Sequence, residues 1–287
     1  MNQDINIRVD EARLTSYESE MILLILVNAI SIFGYVTFVL NPQLLSYFSW
    51  APAIFAVSFK LFAQLQIFLG FVVMVLHCKK DLNKKWYFCL LAAFTISFIM
   101  EYGGTTYGIP FGKYTYSDML GWKLAGQVPF FVPLSWFFMA FSSYFLAEQV
   151  LGDRQWPFAK TILGSFLLVS WDLTLDPAMS HLTSYWYWEK PVDSFLKIPL
   201  SNLFGWFVTG ILIIGCFELS RIKIPQKWQT SQFPLKFYAV NLMLPLSLSI
   251  ASQLWISVAA TGLAFTFCFW ISTQTGGIRN FRRINVE

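Results

Sequence analysis

The chain has 287 residues, of which 56% are hydrophobic and 13% charged. A soluble domain carries about 25% charged residues, so this composition lacks the surface that a water-soluble fold needs. The net charge of +4 is spread over loop lysines and arginines, a membrane-orientation pattern and not a nucleic-acid footprint.

Residues 1–20 are polar with mixed charge and lack the basic start, short apolar core and cleavage site of a signal peptide. They read as a cytoplasmic tail. Apolar runs follow at residues 21–40, 53–76, 86–101, 128–151, 158–176, 199–219 and 233–270. A hydrocarbon core of roughly 30 Å needs about 20 residues of helix, so the last run is split into two helices turning near 249–253. The predicted fold is an all-α polytopic membrane bundle of eight transmembrane helices. Its transmembrane domain is 21–272, with a C-terminal tail at 273–287 and both termini cytoplasmic. With that topology the inner segments hold Arg8, Arg13, Lys79, Lys80, Lys84, Lys85, Arg154, Lys160, Arg221, Lys223, Lys227, Lys236, Arg279, Arg282 and Arg283. The outer loops hold Lys113, Lys123, Lys190 and Lys197. This asymmetry obeys the positive-inside rule, whereas seven helices would put the last three arginines outside. Lys60 falls within the second helix, where it faces a partner or snorkels. The four cysteines are scattered singly, without the spacing of a zinc site or disulfide framework.

Ionisable residues inside a bilayer are functional candidates by default. Glu101 lies sixteen residues after Lys85, about 24 Å up a helix, just beneath the outer interface. Lys160 precedes Asp172 by twelve residues, about 18 Å. Asp176 stands one turn above Asp172 on the same face, and Pro177 is expected to end the helix. Two carboxyl groups one turn apart in a low dielectric share one proton, which is what a general acid requires. Glu101 has a plainer alternative, a bond to a neighbouring helix. Glu148 and Glu218 read as interfacial anchors near Arg154 and Arg221.

Two long outer loops, 102–127 and 177–198, are rich in glycine, proline and rings. Tyr107, Phe111, Tyr114, Tyr116, Trp122, Trp136, Trp171, Tyr185-Trp-Tyr-Trp188 and Trp206 surround the carboxylates. An interfacial belt explains many such rings; a polyene site or a cage for a cationic intermediate is the sharper reading. Each loop leads into a similar string, Val132-Pro-Leu-Ser-Trp136 and Ile198-Pro-Leu-Ser-Asn202, suggestive of a duplicated helix–loop–helix unit. The glycines of Glu101-Tyr-Gly-Gly-Thr-Thr-Tyr-Gly108 read as turning an outer loop, not as cradling a phosphate. Only two histidines, His77 and His181, are present, too few for di-iron oxygen chemistry. His181 could polarise Asp176, although a lone loop histidine more often stands apart from catalysis. No P-loop, dinucleotide fingerprint or nucleophile elbow occurs.

Taken together, Glu101-x-x-Gly-Thr-x-x-Gly-x-Pro-Phe-Gly-x-Tyr-x-Tyr116, Val128-Pro129, Pro133-Leu-x-Trp136, Trp171-Asp-x-x-x-Asp-Pro177, Trp186-x-Trp188 and Pro199-Leu-x-Asn-x-x-Gly-Trp206 resemble the carotenoid biosynthesis membrane proteins. That family includes gamma-carotene 1′-hydroxylases, which are hydratases, and bisanhydrobacterioruberin hydratases. The motifs span roughly residues 90–210; one departure is Lys197, where the family leads one to expect glycine. The resemblance implies a carotenoid 1,2-hydratase, a hydro-lyase acting on gamma-carotene or lycopene without cofactor or metal. Asp172, Asp176 and Glu101 would be catalytic. Trp171, Trp136, Tyr114, Tyr116, Trp186, Trp188, Asn202 and Trp206 would bind substrate. The expected partners are a carotenoid in the bilayer, membrane lipids and other carotenoid-pathway enzymes, with no nucleic acid. The expected location is a bacterial plasma membrane or an internal photosynthetic membrane. The rival classes are a non-catalytic carotenoid or lipid binder and a small proton-coupled transporter.

Overall fold

The computed structural model describes residues 19–151, 156–190, 192, 194–222, 225 and 233–275. Arg8, Arg13, Arg154, Lys223, Lys227, Arg279, Arg282 and Arg283, on which much of the orientation argument rests, lie outside them.

Among the described residues, eight helices are long and apolar enough to cross a membrane. They are α1 (Ser19–Val39), α2 (Ala51–Asp81), α3 (Lys85–Tyr107), α4 (Phe131–Leu151), α5 (Pro157–Leu182), α6 (Leu200–Ser220), α7 (Phe233–Ala251) and α8 (Trp255–Thr275). The long final run does divide in two. Gln253 takes a left-handed φ of 60°, and the Leu254 N–H closes the turn on the Ser249 carbonyl at 2.8 Å.

Two helix ends correct the sequence reading. α3 continues six residues past Glu101 to Tyr107, so Gly103 and Gly104 are helical and do not turn a loop. α5 passes through Pro177 and continues as a π-helix, Ala178–Leu182. Proline lacks an N–H and crowds the preceding turn, and the wider π turn accommodates it; the ladder then closes through Thr183 N–H to the Ala178 carbonyl at 3.2 Å.

α4 is the central helix, with 83% of its spanning window buried against 22% for α1. Its phenylalanines form the core: Phe141 meets Phe145 at 4.7 Å and Phe217 of α6 at 5.2 Å. α5 and α6 approach closely because Gly210 faces Ser165, where an added Cβ would lie 3.2 Å from the serine Cβ. At the end away from the long loops, Lys160 bridges Glu148 at 3.0 Å and Glu218 at 2.6 Å. These three side chains are only 14–18% exposed. Both glutamates therefore clasp α4, α5 and α6 together through Lys160; Arg154, the arginine expected near Glu148, lies outside the described residues. Lys60 is exposed on α2, as snorkelling requires.

The two long loops carry strands absent from the sequence reading. β1 (Tyr114–Tyr116) pairs antiparallel with β4 (Trp186–Trp188), setting Tyr114 opposite Trp188 and Tyr116 opposite Trp186. β2 (Lys123–Leu124) pairs with β3 (Val128–Pro129). Side chains alternate along a strand. Thr115 and Tyr187 accordingly face out, and Tyr114, Tyr116, Trp186 and Trp188 turn together toward the bundle.

Candidate active site

Glu101 sits on α3, 3% exposed. Its carboxylate accepts three hydrogen bonds: from the Tyr114 hydroxyl, from the Tyr116 hydroxyl at 2.8 Å and from Trp136 Nε1 at 2.8 Å. The two tyrosines arrive from β1 and the tryptophan from the first turns of α4. Gly104 is the residue that lets them in. A Cβ there would lie 2.9 Å from both the Phe111 and Tyr114 rings, and one added at Gly205 of α6 would lie 2.5 Å from the opposite side of Phe111. Phe111 is thus clamped between two glycines, fixing the loop over α3. Burial, and then the Glu101 charge, push the hydroxyls of Tyr114 and Tyr116 well above the usual tyrosine range. They remain O–H donors to the carboxylate.

The second acidic group is arranged otherwise. Asp172 and Asp176 of α5 are buried, and both take a hydrogen bond from one amide: Asn202 Nδ2 donates to Asp176 Oδ2 and, at 3.3 Å, to Asp172 Oδ2. Trp186 lines the cavity along with Asp176. Asp172 Oδ1 is buried without a hydrogen-bond partner among the described residues. Trp136 and Trp206 stack at 4.1 Å and 24°, and Trp171 meets Trp206 edge-on at 5.8 Å.

Between these groups is a cavity of about 80 Å³. Glu101, Asp176, Tyr114, Tyr116, Trp136, Trp171, Trp186, Trp188, Asn202 and Trp206 all line it; Asp172 stands behind the wall, joined through Asn202. Among the described residues no Lys, Arg or His lines the cavity, and none form a group of three or more His, Cys, Asp or Glu placed to hold a metal. His181 is exposed and outside the cavity. Sequence reasoning missed Gln66 and Asn241, which line it too. The available signal was an amide inside an apolar run, and both qualify. Phe111 and Tyr185 were legible only as members of an aromatic belt.

The family model for carotenoid biosynthesis proteins matches residues 62–268. The chain belongs to this family. Every residue named in the site falls inside the matched stretch. The chain is also similar to the bisanhydrobacterioruberin hydratase of Haloarcula japonica, 32% identical over 130 residues. That stretch covers 45% of this chain and 43% of the relative, so the likeness spans less than half the length of that curated relative. No solved structure matches the chain.

Proposed function

We propose that the chain hydrates the terminal C1′=C2′ double bond of a linear (ψ) carotenoid end group, such as that of gamma-carotene or lycopene, giving a 1′-hydroxy carotenoid. The observation that carries this reading is the small ring-walled cavity faced by two carboxyl groups in unlike settings, with no cation in its described wall. Protonating an isolated alkene needs a positioned acid shielded from water. Asp176 reaches the cavity and Asp172 does not, so Asp176 is the donor and Asp172 its partner; two buried carboxyl groups on one amide donor hold a proton between them.

The π pair takes that proton at C2′, leaving a tertiary cation at C1′. Trp136, Trp171 and Trp206 line the cavity; because Trp136 and Trp206 stack on each other, at most one of that pair, with Trp171, turns a free face to the cation, each such face worth about 0.5–2 kcal/mol. The Glu101 carboxylate adds a fixed negative charge. Water then bonds to C1′ through oxygen. The resulting oxonium is a strong acid, so Glu101 takes its proton even while holding three donors. Return of that proton to the aspartate pair closes the cycle. One water is added, and nothing is oxidised or reduced. The buried indole N–H of Trp188 has no partner among the described residues and borders the cavity, where it can hold the attacking water.

The test is expression in a bacterium that accumulates lycopene or gamma-carotene, with pigments read by chromatography and mass spectrometry. A pigment heavier by one water, with its oxygen drawn from labelled water, is the expected result. An unchanged pigment profile on both substrates, with the protein confirmed in the membrane, would reject hydration in favour of a binder or transporter.

A further inference from the structure

The cavity holding Glu101 and Asp176 measures about 80 Å³, whereas an apolar cavity of about 150 Å³ is what takes up a single benzene. On the hydration reading, only the branched end of a carotenoid fits there, and the conjugated chain must lie elsewhere. A second cavity of about 510 Å³ adjoins it, walled by α1, the 3-10 turn Pro42–Tyr47, the first turns of α2 and two leucines of α7. Among the described residues no charged side chain lines it. Ala63 and Tyr185 line both cavities, and Phe59 meets Tyr185 edge-on at 6.2 Å beside them.

We infer that this groove holds the polyene chain of the substrate, and that the gap bounded by Phe59, Ala63 and Tyr185 is the port through which the end group reaches Glu101 and Asp176. The inference rests on the proposed function for the identity of the occupant. Gly34 adds an independent observation. It is helical, with φ −59°, so its backbone has no need of glycine, and mid-helix glycine costs about 1 kcal/mol relative to alanine. Close packing does not explain it either: a Cβ there would meet nothing within 4 Å. What the missing side chain does is leave the groove open. Directly after it α1 widens into a π-helix, Tyr35–Val39, a distortion frequent at functional sites, and Tyr35 turns inward to bond Ser252 Oγ at 2.9 Å. Phe48 and Trp50, stacked at 5.3 Å and exposed, stand at the groove's open side.

Gly34→Phe fills the groove from a helical position with room for the ring, so folding should be unharmed; Ala63→Phe plugs the port. Each variant is assayed on lycopene and on a short isoprenoid ending in the same dimethyl-substituted double bond, and purified protein is assayed for bound lycopene. Both variants should lose lycopene conversion by at least about tenfold; Gly34→Phe should still hydrate the short isoprenoid at the wild-type rate, whereas Ala63→Phe, which closes the port to either end group, should lose both substrates. Gly34→Phe should also lose bound lycopene. Wild-type lycopene conversion in both variants, or equal loss on both substrates in Gly34→Phe, would overturn the groove assignment. Wild-type protein that binds lycopene without hydrating it, with binding lost in Gly34→Phe, would sink the hydration reading and leave the groove standing.

Discussion

In the unit α3–β1–α4, a carboxylate near the loop end of the first helix, Glu101, is met by rings of the strand and by Trp136 from the start of the second helix. In α5–β4–α6 the corresponding places are taken by Asp176, by Trp186 of the strand and by Asn202. The shared string ending in Trp136 and in Asn202 therefore has a physical meaning. In each unit its last residue donates to the acid of the preceding helix, and β1 pairs with β4 to bring the two units together. Both units run in the same direction, as parallel repeats do. Their electrostatics are opposed. Three donors converge on the one carboxylate of Glu101, while Asp172 and Asp176 compete for a single amide. On the proposed function, one scaffold provides the anion and the other, short of donors, a site made for a proton.

The sharpest way to break this contrast is to neutralise each acid without changing its shape. Glu101→Gln and Asp176→Asn should each reduce conversion by at least about a thousandfold, within the range by which acid–base groups contribute. Asp172→Asn should lose less, roughly ten- to a hundredfold, because Asp172 acts through its neighbour. Pigment turnover per unit of membrane protein measures all three. A Glu101→Gln variant with full activity would remove the anion from the mechanism and leave a structural knot in its place.

Next come the donors. A hydrogen bond to a charged group contributes about 1.5–3 kcal/mol, so Tyr116→Phe should slow turnover by roughly ten- to a hundredfold. Asn202→Ala should exceed it, since one amide serves two buried carboxyl groups. Equal, small effects from both would mean that the two units are not differently wired.

A third expectation concerns alkaline stability. Tyr114 and Tyr116 are raised from the ordinary value of 10.0 by burial and then by Glu101. Below 10.0 both folded and unfolded chains keep these protons, and this contribution to stability is complete. Above it the unfolded chain ionises first, and the contribution falls until pH passes the raised folded values. The melting temperature in detergent should accordingly decline as pH is taken beyond 10.0, and less steeply in Tyr116→Phe. An equal slope in wild type and variant would argue against a buried hydroxyl at that position.

How far the sequence carries is clear from particular residues. The eight spans, and the break at 249–253, follow from the length of helix a bilayer demands. The acids and rings of the site were legible because charge within an apolar run is conspicuous. What was hidden depends on long-range contact. Nothing local says that Tyr114 pairs with Trp188 seventy-four residues away, or that Lys160 takes both Glu148 and Glu218. The glycines misled because glycine serves both turns and close approach: Gly104 is helical and is there for the rings that cross it.

The smallest expected effect is at Lys197, where the two units differ in how the chain enters the second helix. In the first, α4 begins at Phe131 directly after β3. In the second, Lys197 is exposed at a left-handed φ of 63°, its N–H bonding the Ser194 carbonyl at 3.0 Å while Ser194 Oγ donates to the Ile198 carbonyl at 2.6 Å. A side chain there costs about 1–2 kcal/mol, and glycine removes that strain while giving back up to about 1 kcal/mol in unfolded-chain freedom. Lys197→Gly should therefore stabilise the protein by about 0.5–1 kcal/mol, a rise of roughly 1–4 °C in melting temperature for a chain of this size. Turnover should be unchanged, because Lys197 does not line the cavity. A stabilised variant that turns over more slowly would show that this strained turn sets the position of Asn202, five residues on, and through it the proton held by the aspartate pair.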